Sequence, residues 1–63
     1  MGRMFIVENP YGGGYVIRRL CTTIQQWVYL FERRGDRLGP LRVFDKVEDA
    51  EAHRLNERTD WFA

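Results

Sequence analysis

The chain has 63 residues, one cysteine and a formal net charge of +1. At this length a single domain buries only about 60% of the surface its unfolded chain exposes, so the core is thin and there is little room for a substrate-enclosing cleft. A lone Cys21 excludes an internal disulfide framework, and the apolar runs Met4 to Val7 and Trp27 to Phe31 are far too short to span a bilayer, so the expectation is a single intracellular, cytoplasmic domain over residues 1–63 without a membrane segment.

Met4 to Glu8 is a strand candidate, with Phe5 and Val7 on one face and Met4, Ile6 and Glu8 on the other. Asn9-Pro10-Tyr11-Gly12-Gly13-Gly14 interrupts it as a hairpin tip, and Tyr15 to Leu20 forms a second strand. Cys21 to Gln25 is a turn or the frayed start of a third strand, which is strongest over Trp27 to Phe31. The charged stretch ERRGDRLG, Glu32 to Gly39, then reads as a turn, and Gly39-Pro40 marks the entry to a fourth strand carrying Leu41, Val43 and Phe44.

Asp45 is expected to cap a helix of about Lys46 to Glu57, with Glu48 completing a capping box and Asp49 and Glu51 favoured near the positive end of the helix dipole. Val47, Ala50 and Leu55 give that helix one narrow apolar stripe, with the stem of Arg54 beside it. The tail Trp61-Phe62-Ala63 either folds onto the core or is exposed. The fold class is therefore α+β, a small antiparallel sheet of three to four strands followed by one C-terminal helix.

Both sheet faces are apolar, because Trp27, Tyr29 and Phe31 alternate with Val28 and Leu30. One helix covers one face, so the other is expected to meet the aromatic residues Tyr11, Tyr15, Trp61 and Phe62, a second copy of the chain as a homodimer, or a partner.

The pattern argues against an enzyme. One His and one Cys, His53 and Cys21, give no metal-ligand spacing and no activated nucleophilic pair, and His53 is expected to be solvated. Gly12-Gly13-Gly14 lacks the GK[ST] ending of a phosphate loop, so no cofactor or metal is expected. The arginines are the feature that remains. Nine of the ten basic residues are Arg, and Met1 to Phe44 holds seven basic against three acidic residues, while Asp45 to Ala63 holds three against six. Arg33, Arg34 and Arg37 crowd one turn, Arg18, Arg19 and Arg42 lie on strands, and Trp27, Tyr29 and Phe31 are interleaved, a combination suited to contacts with phosphate, carboxylate or bases. These nine residues are the candidate binding site, with Glu48, Asp49 and Glu51 as a secondary acidic surface.

From Gln26 to Asn56, and especially over GDRLGPLRVFDKVEDAEAHRLNE, the chain resembles small phage and prokaryotic accessory proteins in which a sheet is followed by an Asp-capped, alanine-bearing helix. One such family is the phage-encoded anti-CRISPR inhibitors. That resemblance implies a non-enzymatic phage protein that blocks a host protein or nucleoprotein complex by occupying its surface. The alternative is the three-stranded-sheet DNA-binding domain at the amino terminus of phage integrases, which implies double-stranded nucleic acid as partner.

Overall fold

The computed structural model describes residues 3–53 and 60–63. Five antiparallel strands and one helix follow in the order β1 (Met4–Glu8), β2 (Tyr15–Cys21), β3 (Gln26–Arg34), β4 (Arg37–Leu41), α1 (Val47–His53) and β5 (Asp60–Phe62). The expected sheet and late helix are both present. The tail adds a strand, with Phe31 opposite Trp61 and Leu30 opposite Phe62.

β3 is the common neighbour of β2, β4 and β5. Tyr29 exchanges both backbone bonds with Ala63, whereas the Leu30 carbonyl accepts from the Arg42 amide. Successive residues of a strand aim their amides at opposite edges, so β5 occupies one edge of β3 while β2 and β4 divide the other. Where β2 leaves that edge, Phe44 fills in by exchanging two backbone bonds with Tyr15.

The central hairpin is tighter than its charged sequence suggests. Glu32 to Arg34 extend β3, Arg34 pairs with Arg37, and only Gly35 and Asp36 form the turn, with Gly35 at φ 65°. Gly39 and Pro40 lie inside β4 rather than before it. The register places both opposite Glu32, between the pairs Phe31 with Leu41 and Arg33 with Leu38. This is a bulge, which accommodates a proline and brings Gly39 so near the Glu32 carbonyl that a Cβ would lie 2.9 Å from it. At the other hairpin Gly14, φ 85°, is pressed against Val43 and Phe44.

Helix α1 covers the face bearing Ile17 and Leu30. These residues and Ala50 are buried, ringed by Met4, Ile6, Phe44 and Phe62, and full burial of a side chain such as Ile17 contributes about 1.5–3 kcal/mol. The helix start differs from expectation. The Lys46 carbonyl accepts the first helical bond, from Ala50, which puts Lys46 at the capping position and Asp45 one residue outside. No hydrogen bond to the Asp45 carboxylate is present among the described residues, because a residue displaced outward by one is poorly placed to accept from the first amides. The expected continuation to Glu57, with Arg54 and Leu55, lies outside the described residues.

Candidate functional site

Strand alternation sorts the candidate residues onto two faces. Register places Arg18 opposite Tyr29 and Phe5, and Leu20 opposite Trp27, so these side chains share the face turned away from α1. The face is aromatic and open around Phe5 and Trp27, while Val16, on the same face opposite Val7, is fully buried. Phe5 is 42% exposed and Trp27 43%, and their rings meet edge to face with centroids 5.8 Å apart.

Arginines cover these rings rather than pointing freely into water. Arg18 lies 4.2 Å from the Trp27 centroid, Arg3 5.9 Å from Phe5, and Arg33 4.9 Å from Trp61, beside Phe31. A guanidinium flat on a ring keeps its in-plane N–H groups available while its stem loses rotational freedom before any partner arrives. Arg18 Nε is itself buried without a hydrogen-bond partner among the described residues, and Arg33 Nε donates to the Gly35 carbonyl at 2.8 Å, so only the terminal nitrogens of these two side chains can serve a partner. Tyr11, 75% exposed, packs edge to face on Tyr29, so the intramolecular cover expected from the aromatics is partial. Trp61 joins this face, while Phe62 enters the core on the other.

Arg19 and Arg42 belong to the helix side. Arg19 stacks 4.6 Å from Phe62. Arg42 Nη2 donates to Asp60 Oδ1 at 2.7 Å and lies 3.8 Å from Glu32 Oε1. Asp60 also shares a hydrogen bond with His53 Nε2, and the His53 ring packs 5.2 Å from Phe44. His53 is thus half-buried and bonded to a carboxylate with no exposed side-chain surface, rather than solvated. Arg34 and Arg37 face each other at the exposed hairpin tip, and Glu48, Asp49 and Glu51 line the solvent side of α1.

Sequence reasoning missed Arg3 and Phe5, which extend the stacked face; the signal for Phe5 was its alternation with Ile6. Cys21 ends β2, and the Ile24 N–H of the following turn lowers its thiol below the ordinary value; burial opposes this, and Thr23 and Arg19 reinforce it. The glycine hairpin tip lines a shallow notch of about 310 Å³ with Glu8, Tyr15 and Asp45. Among the described residues no group of three or more His, Cys, Asp or Glu is placed to hold a metal ion, and no helix is long and apolar enough to cross a membrane.

No protein-family model, curated protein or solved structure matches this chain.

Proposed function

We propose that this chain is a non-enzymatic binding domain of the phage-inhibitor type, which acts in the host cytoplasm by docking its arginine–aromatic sheet face on a protein or nucleoprotein complex. The observation that carries this reading is the exposed stack of Arg3, Phe5, Trp27 and Arg18 on the face that α1 leaves open. Trp, Tyr and Arg dominate binding hot spots, and side chains already ordered against one another lose less freedom on docking. An anti-CRISPR-like inhibitor needs only such a surface, since blocking requires occupancy and no chemistry.

The double-stranded DNA reading has its own observation: Arg34 and Arg37 pair across the tip of a two-stranded ribbon with Arg33 beside them, and a ribbon of this kind fits a major groove. One pair of variants separates the two readings. Plaque formation is measured on a CRISPR-immune host expressing the chain, and duplex DNA is titrated by fluorescence anisotropy at two salt concentrations. The inhibitor reading expects protection by the wild type, its loss in Arg18→Glu/Trp27→Ala and its retention in Arg34→Glu/Arg37→Glu. Absence of protection, together with DNA binding that falls steeply with salt and is lost in the hairpin variant, supports the DNA reading.

A further inference from the structure

The three outer strand edges of the sheet are not equally protected. β4 is broken by the Gly39–Pro40 bulge and β5 has only three residues, two devices that discourage pairing with another chain. β1 has neither. Its five residues, Met-Phe-Ile-Val-Glu, include no proline, lysine or bulge, and among the described residues only β2 pairs with it.

The hairpin fixes which of its amides are open. Asn9 donates to the Gly14 carbonyl in the register that places Val7 opposite Val16 and Phe5 opposite Arg18. The odd-numbered residues therefore aim their amides and carbonyls inward at β2, and those of Met4, Ile6 and Glu8 aim outward.

We propose that β1 pairs antiparallel with β1 of a second copy about a twofold axis at Ile6, joining the two sheets into one. With that centre, Ile6 faces Ile6 and Met4 faces Glu8 of the second copy, and all the outward groups are matched in up to about six backbone hydrogen bonds. A centre displaced to Phe5 or Val7 leaves one end of each strand unpaired. Charge order selects the antiparallel sense: the basic end at Arg3 meets the end that carries Glu8, whereas a parallel copy sets like beside like. An axis perpendicular to the sheet keeps both stacked faces on the same side, with Phe5 of each copy against Val7 of the other at about 4.5–5.5 Å between Cβ atoms. The half-exposed Phe5 thereby gains a neighbour, and the two arginine–aromatic faces become continuous. This pairing does not depend on what that face binds.

The test is sedimentation velocity over a concentration series on chemically synthesised chain. Wild type is expected to pass from monomer to dimer with rising concentration. N-methylation of the Ile6 amide blocks the outer edge without altering its side chain, and should weaken association at least about tenfold with an unchanged circular dichroism spectrum. Should that chain fold poorly, N-methylation at exposed Glu8 makes the same block at the strand end. A wild type that stays monomeric throughout overturns the proposal, as does a dimer that survives edge methylation in a folded chain.

Discussion

Arg42 and Asp60 meet at 2.7 Å although they stand 18 positions apart, and the bond ties the end of the β3–β4 hairpin to the last strand. Asp60 is fully buried at its side chain and serves Arg42 and His53 together. Asp60→Ala leaves both without their acceptor and should cost about 2–4 kcal/mol, somewhat below the loss from a wholly buried pair because Arg42 retains access to water and to Glu32. Urea denaturation checks this, and a wild-type midpoint would mean that the carboxylate is dispensable.

Gly14 and Gly35 both have positive φ, at 85° and 65°, yet they should respond differently to substitution. A Cβ on Gly14 would lie 2.7 Å from the Phe44 carbonyl oxygen and from Val43 Cγ1, whereas a Cβ on Gly35 would meet nothing within 4 Å. Gly14→Ala is expected to lose at least about 2 kcal/mol, since strain and backbone collision add. Gly35→Asn should lose under about 1 kcal/mol, because Asn tolerates this conformation. Thermal melts of the two variants give the comparison directly.

The helix start offers an improvement. Lys46 occupies the capping position, places a positive charge at the positive end of the helix and has no side-chain oxygen to accept from the first amides. Lys46→Asp should raise stability by about 0.5–1 kcal/mol, while Asp45→Ala should change it by no more than about 0.5 kcal/mol. If Asp45→Ala were instead the damaging change, the cap would begin one residue earlier.

Cys21 provides a pH test. The Ile24 N–H stabilises the thiolate in the folded chain, so iodoacetamide should reach half its maximal rate at a pH below that of the same cysteine in urea-unfolded protein. The sign follows from linkage: a lowered folded value adds stability above the unfolded thiol's pKa, and that contribution fades as pH falls through the folded value. Coincident alkylation profiles for folded and unfolded chain would show that the turn does not act on the thiol.

Alternation and turn chemistry made most of the sheet legible. Trp27 to Phe31 had to be a strand, and a helix had to follow Asp45. Yet Gly39-Pro40 looked like a boundary, because the same dipeptide serves a turn and a bulge, and only the pairing partner Glu32 distinguishes them. β5 was too short to show a period, and its place beside β3 depends on a long-range pairing. His53 was misplaced for the same reason, since neither Asp60 nor Phe44 is near enough in sequence to announce itself. The arginine set was found as a composition, but its division between Arg18 and Arg33 on one side and Arg19 and Arg42 on the other required the register.

Because β3 has different neighbours on its two edges, consecutive amides along it guard against different events. The Tyr29 amide is held by Ala63, and by alternation the Phe31 amide also looks toward β5, while those of Val28 and Leu30 look toward β2 and residues 42–44. A local opening that releases only β5 therefore lets deuterium into every second position of one continuous strand, and leaves the positions between them to exchange when the whole sheet comes apart.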